Sequence, residues 1–208
     1  MTDSSTLAPT LVLASTSPFR RAVLEKLGHP FATFKPQVDE TPLPGEDADA
    51  LVARLAEAKA RAALGRFENA LVIGGDQVAV IDDHILGKPH THERATAQLA
   101  AASAKVVRFR TGLCLLNTAT GRADTEIAPF NVHFRRLTPE EIEAYLRREQ
   151  PYDCAGSFKS EGLGITLFER LEGDDPNTLI GLPLIRLTAM LRRAGFDVLR
   201  RLDRYPPL

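Results

Sequence analysis

The stretch Leu11-Val12-Leu13-Ala14-Ser15-Thr16-Ser17-Pro18-Phe19-Arg20-Arg21 decides how the chain is read. Its four leading apolar residues suit a short buried strand, and Ser17-Pro18 supplies the N-cap and first position of a helix over 18–27 that stops at Gly28. A strand handing over directly to a helix N-terminus places unpaired backbone N–H groups and the positive end of the helix dipole at the strand's exit. The hydroxyls of Ser15, Thr16 and Ser17 and the forks of Arg20 and Arg21 would add to a site that favours anions. The same residues also suit a plain N-cap with solvated arginines, and the motif alone leaves both readings open.

Outward from this stretch, 31–35 reads as a second strand, and 36–45, with three prolines and Asp39-Glu40, as a loop. A helix over 49–64 carries Leu51, Leu55, Ala58 and Ala62 on one face, with Lys59 beside the apolar stripe. The apolar run 71–73 leads into Gly74-Gly75-Asp76-Gln77, followed by 78–81, a turn at Asp82-Asp83, Gly87-Lys88-Pro89 and a helix over 91–103. Segments 106–116 and 125–134 form an antiparallel hairpin. Thr138-Pro139-Glu140-Glu141 opens a helix with a capping box. Residues 156–164 read as a loop, 165–171 as a strand, and 181–194 as a helix stopped by Gly195. Strands of both parallel and hairpin type alternating with helices imply a mixed-sheet α/β fold, as one domain over 10–200 or as two lobes around a cleft.

Composition narrows the partners. With 208 residues, 44% hydrophobic, the chain can bury a substantial core, and a net charge of −1 argues against a stable nucleic-acid partner. An anion site must then be a local cluster, which suits a small phosphorylated ligand. Cys114 and Cys154 lack CxxC spacing and read as buried thiols in a reducing compartment. His90 and His92 diverge around a helix start and read as surface residues. The polar stretch 1–9 has no leader-like pattern and no run is long enough to span a bilayer, so a cytoplasmic setting without membrane is expected.

Charged groups gather where strands end, as ligand sites do in α/β folds. Asp76 follows an apolar run, where a carboxylate calls for a cation, a metal or water. Glu40 lies in the loop after the second strand, and Arg20, Arg21, Lys59 and Lys88 supply cations. No P-loop, GxGxxG, HExxH or GxSxG is present. Carboxylates that can hold Mg²⁺ or Mn²⁺, together with cations for phosphate oxygens, point to phosphoanhydride hydrolysis on a nucleotide-like substrate.

These residues resemble the Maf-type nucleoside triphosphate pyrophosphatases. The likeness runs from about Leu11 to Arg193: L-A-S-T-S-P-F-R-R at 13–21, V-D-E at 38–40, E-A-K-A at 57–60, G-D-Q at 75–77, G-K-P at 87–89, C-A-G-S-F-K-S-E-G at 154–162 and N-T-L-I-G-L-P at 177–183. It implies an inosine triphosphate pyrophosphatase-like fold with a central cleft, cleavage between the α and β phosphates, a divalent metal, and the pairing of copies common in the family. Asp76 would be the general base and, with Glu40, a metal-associated carboxylate; Ser15, Arg20, Arg21, Lys59 and Lys88 would hold the triphosphate. Gly75 stands where the family often has serine, which would loosen the backbone near Asp76.

Within the family the chain is similar to the subgroup directed at 7-methyl-GTP, through Phe19, Gln77 and Glu161. N7-methylation puts positive charge on guanine, so an aromatic face such as Phe19 gains a cation–π attraction of about 0.5–2 kcal/mol. Glu161 could accept from the adjacent N1 and N2 donors. Core burial of Phe19 and pairing of Glu161 with Lys159 are the structural alternatives. The functional alternatives are a dTTP/UTP or broader pyrophosphatase, and a non-catalytic nucleotide-binding regulator of cell division.

Overall fold

Among the described residues, seven strands build one mixed sheet in the order β2-β1-β3-β5-β6-β7, with the short β4 paired to the far end of β3. They are β1 (Thr10–Leu13), β2 (Ala32–Thr33), β3 (Ala70–Ile81), β4 (His84–Leu86), β5 (Val106–Asn117), β6 (Ala123–Phe134) and β7 (Phe168–Glu172). A computed structural model describes residues 8–201. Residues 1–7 and 202–208 lie outside the described residues, and with them part of the polar stretch 1–9. The helices are α1 (Pro18–Glu25), α2 (Ala48–Arg61), α3 (His92–Ala102), α4 (Pro139–Glu149), α5 (Asn177–Ile180), α6 (Leu184–Arg193) and α7 (Val198–Arg201).

Strand periodicity sorts the core into layers. Leu11, Leu13, Leu71, Ile73, Leu113 and Leu115 pack with residues of α1 and α6, whereas their neighbours Val12, Ala14, Val72, Cys114 and Leu116 pack against α2. The distal halves of β3, β5 and β6 serve a separate cluster in which Ala79, Phe109 and Val132 meet α3, α4 and Phe158. Asp76 lies between these two stretches of β3.

Locally encoded features match the sequence reading. Thr138 and Glu141 form the capping box, with Thr138 N donating to Glu141 Oε2 at 2.9 Å and Glu141 N to Thr138 Oγ1 at 3.3 Å. The 106–134 hairpin is present, and Gly195 ends α6 with φ at +78°. Departures are nonlocal in origin. The 71–73 and 78–81 runs belong to one twelve-residue strand, so Asp76 sits mid-strand rather than at a strand's exit. Gly74 and Gly75 are therefore not a turn. A Cβ on Gly74 would lie 2.1 Å from Ala56 O, and one on Gly112, the register partner of Asp76, 2.1 Å from Val52 O. Both glycines let α2 lie directly on the sheet.

Asp82 and Asp83 both adopt left-handed φ, +45° and +64°, and turn β3 into β4, a strand the sequence reading lacks. The proposed helix over 181–194 is shorter: Gly181 is left-handed and closes α5, and α6 starts only at Leu184. The 156–164 loop is partly core: Ser157 and Phe158 are buried, and 3-10 turns at Ala155–Ser157 and Leu163–Leu167 flank the segment. His92 is no free surface residue, because its ring bridges Tyr152 Oη at 3.0 Å and Glu143 Oε2 at 2.7 Å.

Candidate active site

On the edge facing β1 and β4, β3 pairs with β1 over Ala70–Ile73 and with β4 over Ala79–Ile81, while no strand among the described residues pairs there with Gly74–Val78. The chain after β1 passes this gap. Ser17 caps α1 by accepting from Arg20 N at 3.3 Å, and Ser15 Oγ accepts from Ser17 N at 3.1 Å. The capping reading of this motif thus holds for Ser17, while the Ser15 hydroxyl makes a local turn just before the cap.

On the α2 face of β3, Lys59 Nζ stands 2.7 Å from Asp76 Oδ1 and 2.9 Å from Glu40 Oε1. The side chains of Lys59 and Asp76 are 8% and 12% exposed, while Glu40 reaches in from solvent at 61%. Lys59 lies in the last turn of α2, placed there by the buried Leu55 and Ala56 and by the close contact that Gly74 and Gly112 permit. Glu40's loop is braced by Arg54, which donates to Glu46 Oε1 at 2.6 Å and to Thr41 O at 3.1 Å.

On the opposite face, a cleft of about 160 Å³ is lined by Phe19, Arg20, Gln77, Lys88, Cys154 and Glu161 among others. Arg20 is held in this cleft by its Nε, which donates to Gly181 O at 3.0 Å. Burial pushes the Arg20 pKa below the usual arginine value, and the negative charges of Asp76 and Glu40 oppose that shift. Gln77 Nε2 donates to Thr111 Oγ1 and to Thr178 O, both at 2.8 Å.

Of the residues singled out in the sequence, Asp76, Glu40 and Lys59 meet directly, and Phe19, Arg20, Gln77, Lys88 and Glu161 share the cleft. Arg21 is elsewhere, an exposed partner of Glu25 at 3.0 Å. Lys159 pairs with Glu149, not Glu161, and Phe19 is not buried in the core. Cys154 lines the cleft, and burial pushes its thiol up to about 11, as it does for Cys114. A Cβ on Gly75 would meet Gly112 O at 3.5 Å and Arg20 Nε at 3.8 Å, ordinary contacts, and the residue is held in the β3 ladder. A loosened backbone is therefore not what Gly75 confers.

Thr111, Asp175 and Thr178 escaped the sequence reading. The Asp175-Pro176-Asn177 spacing was the available sign, since an Asp two residues before a backbone N–H can form an Asx turn.

Two carboxylates on one ammonium fit Mg²⁺ or Mn²⁺ held jointly with substrate, because Mg²⁺ takes one or two protein carboxylates together with phosphates and waters. Among the described residues no group of three or more His, Cys, Asp and Glu could hold an ion unaided. No helix among them is long and apolar enough to cross a membrane.

A mixed α/β sheet bearing a carboxylate–lysine cluster beside a cleft of mixed charge is the setting in which the family comparison falls. The pattern of the family described as Maf-like protein matches residues 10–194, and the chain belongs to that family. Over 191 residues it is 62% identical to the 7-methyl-GTP pyrophosphatase of Nitrosococcus oceani, covering 92% of this chain and 96% of that protein. A solved structure, that of the Staphylococcus aureus Ham1 protein, is partly similar, with a TM-score of 0.43 and 12% identity over 60% of this chain and 71% of that one.

Proposed function

We propose that this chain is a nucleoside triphosphate pyrophosphatase that hydrolyses 7-methyl-GTP to 7-methyl-GMP and pyrophosphate. The observation that carries the reading is the meeting of Asp76 and Glu40 on Lys59 on one face of β3, next to a cleft holding Phe19, Gln77 and Glu161 on the other. The 62% identical relative bears the same activity in its name.

Asp76 is the general base in this reading: nearly buried and fixed by Lys59, it orients a water and takes its proton. Arg20, Lys59 and Lys88 neutralise the triphosphate, with Ser15 at the α1 entrance. Arg21 joins them by leaving Glu25, an exposed pair of the kind worth about 0–1 kcal/mol, so its release costs little. Glu40 and Asp76 would hold a divalent cation, which when bound supplies Lewis-acid polarisation of a phosphoryl oxygen. Phe19 stacks on the methylated base, and Glu161 accepts from its donor edge. The setting is the cytoplasm, where nucleotides and Mg²⁺ are at hand.

Pyrophosphate release with Mg²⁺ or Mn²⁺ across 7-methyl-GTP, GTP, UTP and dTTP tests the reading. The highest kcat/KM is expected on 7-methyl-GTP. Release from UTP and dTTP at equal or higher kcat/KM would replace it with a pyrimidine-directed enzyme.

A further inference from the structure

Gln77's amide is not free to turn. Thr178 O can only accept, so the group 2.8 Å from it must be Nε2, and an amide oxygen in that place would oppose another oxygen. The second N–H of Nε2 goes to Thr111 Oγ1, whose own proton points to Thr178 O at 3.4 Å. Both amide donors are thus held by the protein, and Oε1 is the end left for a ligand in the cleft.

What holds Thr178 O is a buried carboxylate. Asp175 is 3% exposed, and its Oδ1 accepts from Asn177 N and Asn177 Nδ2, its Oδ2 from Ile185 N, all at 2.8 Å. One side chain therefore ties the start of α5 to the first turn of α6. The segment between them delivers Thr178 O to Gln77 and Gly181 O to Arg20.

We infer that Asp175 and Thr111 are positioning residues for base selection: through Thr178 O they lock Gln77 with its carbonyl oxygen toward the cleft, so that this wall accepts hydrogen bonds and does not donate them. An acceptor there matches the N1–H and 2-amino edge of a guanine. A uracil or thymine edge offers it one donor, N3–H, between two carbonyls that it opposes. The inference rests on the cleft being the base site of the proposed enzyme.

The experiment reads the ratio of kcat/KM for 7-methyl-GTP to that for UTP, which does not depend on how much of a preparation is folded. Thr111→Val and Asp175→Asn should each lower the ratio about 3- to 10-fold, the effect of freeing one hydrogen-bonded amide. Thr111→Ser, which keeps the hydroxyl, should restore the wild-type ratio. Asp175→Asn should also raise KM for both nucleotides through Gly181 and Arg20. If Asp175→Asn does not fold, the two Thr111 variants decide. Ratios within twofold of wild type in Thr111→Val, or no recovery in Thr111→Ser, overturn the inference. A wild type that prefers another base faults the substrate reading separately, and the ratio is then taken on the two nucleotides it separates most. A wild type that separates none overturns both.

Discussion

Asp76 and Gln77 are consecutive residues of β3, yet they serve opposite faces of the sheet. The Asp76 face is closed over by α2 except where Glu40 reaches in from solvent, and Lys59 fills the space between two carboxylates. The Gln77 face is open: α1, α5 and the segment through Glu161 surround a cleft. The pleat separates the two by one residue, so bond-breaking chemistry and base recognition can be altered independently. Arg20 belongs to both, lining the cleft while feeling the charges of Asp76 and Glu40.

The largest effect should come from the closed face. Asp76→Asn keeps the shape and removes the base, so kcat should fall on the order of 10²- to 10⁴-fold on every nucleotide, with the ratio between 7-methyl-GTP and UTP unchanged. Pyrophosphate release measures both quantities at once. A large change in the ratio would mean the two faces are not separate.

Backbone contact should come next. Gly112→Ala places a methyl group 2.1 Å from Val52 O, so α2 must lift, at a cost of about 1–3 kcal/mol of stability and with Lys59 drawn off Asp76. Gly75→Ser meets only ordinary contacts and should leave the urea midpoint close to wild type. Equal midpoints for the two variants would refute the role of close approach in building the cluster.

On the open face, Phe19→Ala should reduce the preference for 7-methyl-GTP over GTP about 2- to 30-fold, since only the methylated base carries the positive charge that an aromatic face attracts. Glu161→Gln should act in the same direction. In both variants kcat on UTP should stay near wild type, and a parallel loss on all three nucleotides would assign Phe19 to folding instead.

The difference between the faces also marks what the sequence could disclose. Thr138 with Glu141, the 106–134 hairpin and the Gly195 stop depend on near neighbours and were legible. Lys59, beside the α2 stripe, was found for the same reason. Gly74 carries no local sign of its role, because the reason for it is a helix well over ten residues away in the chain. Arg20 and Arg21 are identical in type, and only the burial of Val23 and Leu24 decides which of them turns toward the cleft. Asp175 carries no local sign of its importance beyond the Asx spacing, because the groups it serves, Gln77 and Arg20, are distant in the chain.

The smallest effect concerns the loop that carries Glu40. Arg54 grips Glu46, whose side chain is 6% exposed, and this hydrogen-bonded partner pulls the Glu46 pKa from 4.5 down to about 2. A carboxylate with a depressed folded-state pKa stabilises the protein above its unfolded value and loses that contribution as pH falls toward the folded one. The urea midpoint of wild type should therefore exceed that of Glu46→Gln by a constant margin above about pH 5, and the margin should shrink as pH drops below 4.5 toward 2. Because Thr41 O is held by the same arginine, Glu46→Gln should also lower kcat slightly by loosening Glu40, while base preference, set on the other face, stays where it was. A margin that persists unchanged at pH 3 would show that the charge on Glu46 is not what holds Arg54.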